Sequence, residues 1–116
     1  MTAVSLRVHE VQLYQRHVTL RLPFRFGAAT VTQCPQAFVR VIAEVNGQHV
    51  EGASAELMVP KWFDKNPALS DAQNLDQLRK ALELTEEAYG AAPWLSAFDL
   101  YANHYRELLD AGAACG

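Results

Sequence analysis

The dipeptide Asn46-Gly47 constrains the fold of this chain more than any other feature of the sequence. Asn and Gly best tolerate the two left-handed positions of a type I′ turn, and β-favouring residues flank the pair on both sides. A two-residue turn also fixes the register of its strands, so Glu44 should lie opposite His49. The sequence therefore predicts an antiparallel β-hairpin centred on this turn.

The predicted register gives the hairpin one apolar face and one polar face. Val41, Ala43 and Val50 share the apolar face, which would pack against the rest of the domain. On the polar face Arg40 can reach Glu51 diagonally across the strand pair. We expect the polar face to be solvated, and it carries Arg40, Glu44, His49 and Glu51.

Residues 5–22 are predicted to be extended, although their apolar side chains follow two different parities. Val8 and Val18 belong to one parity and Val11 to the other. A β-bulge, or a break between a strand ending near Arg16 and another starting at Val18, would reconcile them. With the hairpin, this segment makes a three-stranded antiparallel meander over about residues 5–57.

The second half of the chain predicts helices over about residues 70–110. Ser70 and Gln73 have the spacing of a capping box, and Gly90 suits a left-handed C-cap. Ser96 would cap a second helix, and we expect its apolar stripe to be core. That stripe consists of Phe98, Tyr101, Tyr105 and Leu108. The predicted fold class is α+β, a meander followed by a small helical bundle, in a single domain over residues 1–116.

Charge and hydropathy exclude several classes of function. The formal net charge is −3, and the ten Lys and Arg residues are scattered rather than gathered into a basic stripe, which argues against nucleic-acid binding. The chain has neither a signal-peptide pattern nor an apolar run of about 18–20 residues, so we expect a cytoplasmic protein without membrane contact. In that compartment Cys34 and Cys115 should be reduced thiols.

No constellation of catalytic or metal-binding residues is evident in the sequence. The spacing of the histidines matches no known metal motif. His49 and Glu51 share a strand face, but Arg40 competes for Glu51, so a solvated face is the favoured interpretation. The four histidines are His9, His17, His49 and His104. We predict neither a catalytic residue nor a metal site in this chain.

Two predicted loops carry the residues best suited to binding. The first follows Pro23, which cannot donate to a strand ladder and should end regular pairing, and it extends to Pro35. The second covers residues 57–67. Arg25 or Lys61 could pair with a carboxylate or remain solvated, and the aromatic residues could instead cover the meander. The candidate lid residues are Phe24, Arg25, Phe26, Thr30, Thr32, Met58, Lys61, Trp62 and Phe63.

The order of these segments resembles the N-terminal capping domain of the enolase superfamily, closest to the mandelate racemase and muconate lactonising enzyme group. The resemblance covers roughly residues 5–110 and rests on Leu22-Pro23-Phe24, the strand 38–45, Asn46-Gly47 and the segment 51–56. In that family the capping domain closes over the mouth of a (β/α)-barrel. The resemblance implies that residues 24–34 and 53–63 form the two lid loops, which select the substrate and exclude water.

The resemblance also implies what the chain lacks. Enzymes of this family abstract a proton α to a carboxylate while Mg²⁺ stabilises the enediolate, as racemases, cycloisomerases or acid-sugar dehydratases. Their bases and metal-binding carboxylates lie on a barrel of about 200 or more residues, which these 116 residues do not contain. We therefore expect no catalysis and no cofactor in this chain alone, with Mg²⁺ in a separate barrel domain. The expected partners are that barrel and a small carboxylate substrate.

Two other classes remain open. The chain could be a stand-alone α+β binding or dimerisation module that uses its aromatic loops as a partner surface. It could also be a small enzyme that shares residues between the chains of an oligomer. An exposed apolar face where the barrel domain should dock would favour self-association, so a homo-oligomer is among the expectations.

Overall fold

The computed structural model describes residues 4–115 of the chain as an antiparallel sheet with two helices. In chain order the elements are β1 (Ser5–Phe26), β2 (Ala29–Val45), β3 (Gln48–Leu57), α1 (Asp71–Gly90), β4 (Leu95–Ser96) and α2 (Ala97–Ala114). Over the described residues the sheet has four strands in the order β3-β2-β1-β4, and all neighbours are antiparallel. The predicted α+β class is confirmed, and the sheet has β4 in addition to the three predicted strands.

The hairpin between β2 and β3 has the turn and the register that the sequence predicts. Asn46 and Gly47 have φ angles of 50° and 77°, the left-handed values that a type I′ turn needs at both positions. Glu44 lies opposite His49, as predicted. Because β3 is an edge strand and exposed along residues 48–56, the apolar face is buried mainly on β2, and Val50 remains 43% exposed.

β1 is one long strand with a bulge near its start. Its register against β2 passes from Val8 to Glu10 and leaves His9 as the extra residue of a β-bulge. Pairing then continues through Arg16 and Val18, so the alternative of a strand break between them is wrong. The bulge accounts for the change of parity between Val8 and Val11, because one inserted residue moves the following side chains to the opposite face. The register is unbroken from Glu10 to Thr19, so Val18 lies on the face opposite to Val11.

The segment after Pro23, predicted as a long loop, belongs to a second β-hairpin. Pairing of β1 with β2 lapses after Thr19 but resumes at Phe24, so Pro23 lies in a gap rather than at the end of the pairing. A turn at Gly27 and Ala28 then joins the two strands, and Gly27 has a left-handed φ of 52°. The prediction of an irregular loop is wrong here, because cross-strand pairing is restored on both sides of the turn.

α1 begins at the predicted capping box but does not end as predicted. The Ser70 Oγ accepts the Gln73 N–H at 3.1 Å, and the Gln73 Oε1 accepts the Ser70 N–H at 2.7 Å. A left-handed C-cap at Gly90 is wrong, because Gly90 is still helical and Ala91 caps the helix with φ of −94°. The Ala91 N–H donates to the Glu87 carbonyl at 3.2 Å, so the chain leaves α1 in a right-handed turn.

β4 attaches the start of α2 to the sheet. Leu95 pairs with Leu6 and Ser96 with Ser5. Ser96 is also the predicted N-cap of α2, and its Oγ accepts the Asp99 N–H at 3.1 Å. A strand of two residues carries no periodic signal, which is why the sequence did not predict it.

The core lies where the two helices meet β1. One cluster there has Val8, Ala92 and Leu100 as its buried members, and the half-buried residues around them are Leu6, Val11, Val41, Tyr89 and Leu95. Further buried hydrophobic residues are Val31, Cys34, Ala37, Ala43 and Met58. The predicted core stripe of α2 is wrong, because α2 turns Leu100 inward and most of the stripe outward. The exposed fractions are 72% for Phe98, 52% for Tyr101 and 50% for Tyr105, while Leu108 is half-buried. Neither helix of the described residues combines the length and apolarity needed to cross a bilayer.

Candidate functional site

The two segments predicted to carry lid residues meet at one end of the sheet. Phe24 and Phe26 lie at the end of β1, and Trp62 lies in the connection of residues 58–70 between β3 and α1. The Phe26 and Trp62 rings meet edge to face, with centroids 5.0 Å apart. The Phe24 ring lies 5.5 Å from that of Phe26 and 6.1 Å from that of Trp62. These separations are favourable for aromatic pairs, and we call the three residues the aromatic tip.

The aromatic tip is largely open to solvent. Phe24 is 47% exposed, Trp62 is 58% exposed and the neighbouring Phe63 is 49% exposed, whereas Phe26 is half-buried. Single exposed apolar residues are common on proteins, but several together indicate a contact surface. The aromatic tip is therefore a candidate surface for a ligand or a partner.

A buried asparagine of α1 holds the connection that carries Trp62. Asn74 is 0% exposed, and its Oδ1 accepts the Lys61 N–H at 3.3 Å. Its Nδ2 donates to the Gln77 Oε1 at 3.0 Å. Lys61 has a left-handed φ of 65°, a conformation that costs a non-glycine residue about 1–2 kcal/mol. Sequence reasoning missed Asn74, because nothing local distinguishes it from a solvated helical asparagine.

Asp64 continues this set of hydrogen bonds from α1 into the connection. The Gln77 Nε2 donates to Asp64 Oδ2 at 2.9 Å, and the Asn66 N–H donates to Asp64 Oδ1 at 3.1 Å. Both donors favour the charged carboxylate, so the Gln77 bond and then the Asn66 bond lower the pKa of Asp64 below its usual value. The ionised Asp64 thereby joins α1 to the segment beside the aromatic tip.

The two lysines of the connection have different surroundings. The Lys61 Nζ donates to the Asn66 carbonyl at 2.9 Å and to the Leu69 carbonyl, so it ties the connection together. The Lys65 Nζ lies 5.5 Å from the centroid of the Phe26 ring and donates to the Lys61 carbonyl at 3.2 Å. Arg25 and Lys61 are the cations that the sequence offers as possible carboxylate partners, and Lys65, which the sequence did not single out, is a further exposed cation beside the aromatic tip.

The remaining candidate lid residues divide between the turn and the interior. Arg25 and Thr30 pair across the β1–β2 turn, where the Arg25 Nε donates to the Thr30 Oγ1 at 3.4 Å. Thr32 is exposed on β2. Met58 is only 4% exposed, and its N–H donates to the Pro35 carbonyl at 2.8 Å, which places it in the interior.

An open cleft of about 510 Å³ separates the β1–β2 turn from the connection. Its walls include Phe26, Thr30, Lys61, Lys65 and Asp71. This lining combines an aromatic face, a hydroxyl and two ammonium groups with one carboxylate. Apolar walls with a few convergent polar groups are typical of small-molecule sites, and the excess of cations suits an anionic group.

The polar face of the β2–β3 hairpin contains the predicted ion pair. The Arg40 Nη2 donates to Glu51 Oε1, and the Arg40 Nη1 donates to the Gln12 Oε1 at 2.9 Å. The contact with Glu51 is the main reason that the pKa of Arg40 is raised. His49 does not join Glu51, because its Nε2 lies 3.6 Å from Glu44 Oε1 instead.

A scan against protein-family models finds no match for this chain, and searches of curated proteins and of solved structures find none either. The structure defines a class of protein by its fold and surface alone. That class is an α+β domain in which an antiparallel sheet and two helices present an exposed aromatic tip beside a cation-lined cleft.

Proposed function

We propose that this chain is the N-terminal capping domain of an enolase-superfamily enzyme of the mandelate racemase and muconate lactonising enzyme group. The capping domain would select the substrate and exclude water from a barrel active site, and it would not catalyse alone. The parent enzyme would abstract a proton α to a carboxylate, as a racemase, cycloisomerase or acid-sugar dehydratase. The cytoplasmic location expected from the sequence belongs to the same proposal.

The contact between Phe26 and Trp62 carries this proposal. Their rings bring together, with centroids 5.0 Å apart, the two segments that the family resemblance implies as lid loops. The exposed parts of the aromatic tip offer an apolar cover for a substrate held beneath it. Water excluded by such a cover strengthens the electrostatic interactions of a closed site.

The cleft beside the aromatic tip supports a carboxylate as the substrate's charged group. The Lys65 ammonium sits against Phe26 on the cleft wall, and Thr30 adds a hydroxyl to the same wall. A lysine on a flexible stem can follow a substrate as the lid closes. Lys65 is thus the residue of this chain that we assign to the substrate carboxylate.

The Mg²⁺ that the family uses does not suit the candidate metal-ligand group of the described residues. Mg²⁺ takes oxygen ligands in octahedral geometry, from carboxylates, substrate oxygens and water. The candidate metal-ligand group found among the described residues contains two imidazoles and a single carboxylate, His9, His49 and Glu44. We therefore assign Mg²⁺ to the barrel domain.

The test begins with the coding sequence that follows residue 116, where the proposal expects an in-frame barrel. In the full-length protein, Trp62→Ala should lower kcat/KM for exchange of the α-proton of acid substrates by about 10-fold or more, because closure would be impaired. Trp94→Ala is the matched control, since Trp94 is 45% exposed but lies outside the aromatic tip. Deuterium uptake from D₂O reports the exchange directly.

Two outcomes would overturn the proposal. The first is turnover of a carboxylate substrate by the isolated 116 residues. The second is a stop codon directly after residue 116 with no barrel partner encoded nearby. An equal loss of activity in Trp62→Ala and Trp94→Ala would remove the lid role of the aromatic tip while leaving the family assignment standing.

The exposed stripe of α2 favours a second candidate, a stand-alone binding or dimerisation module. Phe98 and Tyr101 have ring centroids 6.4 Å apart, and Tyr101 and Tyr105 have centroids 5.5 Å apart, all on an exposed helix face. If this stripe joins two copies, sedimentation of the isolated chain will show self-association that Tyr101→Ser abolishes and Trp62→Ser does not. A monomer at all concentrations would reject the dimer.

A further inference from the structure

Three adjacent strands place two histidines and a glutamate together on the polar face of the sheet. His9 comes from the bulge of β1, Glu44 from β2 and His49 from β3. Their potential ligand atoms all lie within 4.8 Å of one another. We call these three residues the His-Glu-His cluster. It lies on the face opposite to Ala43, which is buried, so the helices do not cover it.

The bulge is what completes the cluster. His49 lies directly opposite Glu44 in the β2–β3 register, whereas the partner of Glu44 on β1 is Arg7. Because His9 is the inserted residue, it has no partner on β2, and its ring reaches to 4.8 Å from the His49 ring, centroid to centroid. Bulges commonly re-aim a side chain in this way.

The distances suit a tetrahedral metal ion. The Nε2 atoms of His9 and His49 lie 3.3 Å and 3.6 Å from Glu44 Oε1. Two ligands bonded at about 2.0–2.1 Å to one tetrahedral ion lie about 3.3–3.4 Å apart. The larger separations, up to 4.8 Å between the ligand atoms, would close by rotation of His49, whose side chain is 64% exposed. The exposed side of the cluster leaves the fourth position to water.

Neighbouring charges do not fill the cluster. Arg7 lies opposite Glu44 on β1, but the ion pairs of Glu44 among the described residues are with the two histidines and not with Arg7. Arg40 is engaged by Glu51 and Gln12. The Glu10 carboxylate accepts from the Gln12 Nε2 at 2.8 Å. Among the described residues the ion-pair partners of Glu44 are the two histidines, so its carboxylate is available to a metal ion held with them.

We propose that the His-Glu-His cluster binds one divalent transition-metal ion of the Zn²⁺ class and thereby links β1, β2 and β3. Two imidazoles with one carboxylate are a donor set that Zn²⁺, Ni²⁺ and Cu²⁺ prefer, whereas Mg²⁺ and Ca²⁺ prefer oxygen ligands alone. The site is separate from the aromatic tip and does not depend on the capping-domain proposal. It differs from the ligand pair considered from the sequence, His49 with Glu51, because His49 Nε2 lies 3.6 Å from Glu44 Oε1 instead.

Zn²⁺ binding to the tag-free 116-residue chain tests the proposal, measured by competition with a chromogenic chelator. We expect one Zn²⁺ per chain in the native protein. His49→Ala and Glu44→Gln should each weaken binding by about 10–100-fold or more, since losses of that size follow even from removing the residues that orient metal ligands. His17→Ala is the matched control, because His17 is exposed on the same strand as His9 but lies outside the cluster.

Histidine ring signals in an NMR titration identify the ligands independently of affinity. Zn²⁺ should shift the ring resonances of His9 and His49 and leave those of His17 and His104 in place, with the backbone spectrum showing that each variant is folded. Two results would overturn the proposal. One is a native chain that does not compete with the chelator, and the other is a His17→Ala variant that loses as much affinity as His49→Ala.

Discussion

At the scale of single residues, Asn74 fixes the position of the connection that carries Trp62 of the aromatic tip. It is fully buried on α1, and its side chain accepts the Lys61 N–H and donates to Gln77. Lys61 is held in the left-handed region directly before Trp62. A hydrophobic residue at position 74 would leave the Lys61 N–H without this acceptor, so an amide is required there for a reason that no helical pattern reveals.

Asn74→Ala should lower the free energy of unfolding by about 1–3 kcal/mol, because it removes the buried acceptor of the Lys61 N–H. Urea titration followed by circular dichroism measures this change. Asn103→Ala is the matched control, since Asn103 is exposed on α2 and alanine favours a helix. Equal destabilisation by the two substitutions would contradict the anchoring role of Asn74.

The two cysteines should differ in reactivity. Both are free thiols, but Cys34 is 3% exposed whereas Cys115 is exposed, and burial raises the pKa of the Cys34 thiol. Less thiolate and less access both slow its reaction with a disulfide reagent. We expect a fast phase from one thiol that disappears in Cys115→Ser, and a slow phase that accelerates in urea. Rapid labelling of Cys34 in the folded chain would contradict its burial.

At the scale of elements, the β2–β3 turn requires glycine at position 47 because of its backbone conformation, and not because a side chain would lack space. A Cβ at Gly47 or at Gly52 would meet no atom within 4 Å, but only Gly47 of the two has a positive φ. Gly47→Ala should therefore destabilise the chain by about 1–2 kcal/mol through backbone strain. Gly52→Ala should be neutral or stabilising, because alanine loses less entropy in a strand. Thermal unfolding of both variants checks the pair.

The elements that sequence predicts correctly are those whose signals are local. Asn46-Gly47 and the capping box of Ser70 and Gln73 need only their immediate neighbours, and both occur as expected. The change of parity along β1 indicated a bulge, but the position of that bulge at His9 depends on which residues of β2 lie opposite. The inward side of α2 was mispredicted, since the sheet and α1 decide which stripe is buried rather than its aromatic content.

The stability that the connection between β3 and α1 gives to the fold should decrease in acid, because Asp64 becomes protonated. Its pKa is lowered in the folded chain, so the folded state binds a proton less readily than the unfolded chain, where the value is near 3.8. The stabilisation from Asp64 is therefore complete above that value and is lost as the pH falls through the folded pKa. We expect Asp64→Asn to reduce the loss of stability below about pH 4.

Urea titrations of the Asp64→Asn variant and the native chain over a series of acidic pH values measure this effect. Asp76→Asn removes the same formal charge from α1 and serves as the control, because the Asp76 side chain is 76% exposed in its pair with Arg79. An identical pH dependence in the native chain and in Asp64→Asn would show that the hydrogen bonds from Gln77 and Asn66 do not favour the charged carboxylate.

At the scale of the whole molecule, the chain is more extended than its length requires. The radius of gyration is 16.5 Å and the principal extents are 48 × 32 × 24 Å. A compact domain of this length has a radius of gyration of about 13 Å. β1 and β2, of 22 and 17 residues, are long paired strands that favour an elongated shape. Such a shape leaves surface that a second domain or a second copy would cover.

The extended shape predicts a shallow dependence of the unfolding free energy on urea for the isolated chain. Because the slope of unfolding free energy against urea scales with the surface buried on folding, we expect it near the lower end of the usual range of about 1–3 kcal/mol/M. Fluorescence of Trp62 and Trp94 and far-ultraviolet circular dichroism should report the same transition. A barrel domain docked on the aromatic tip would shield Trp62 from solvent. It would also raise the unfolding midpoint of this domain above that of the isolated chain. An isolated chain with a steep slope and an unchanged midpoint in the longer protein would show that the exposed end needs no partner.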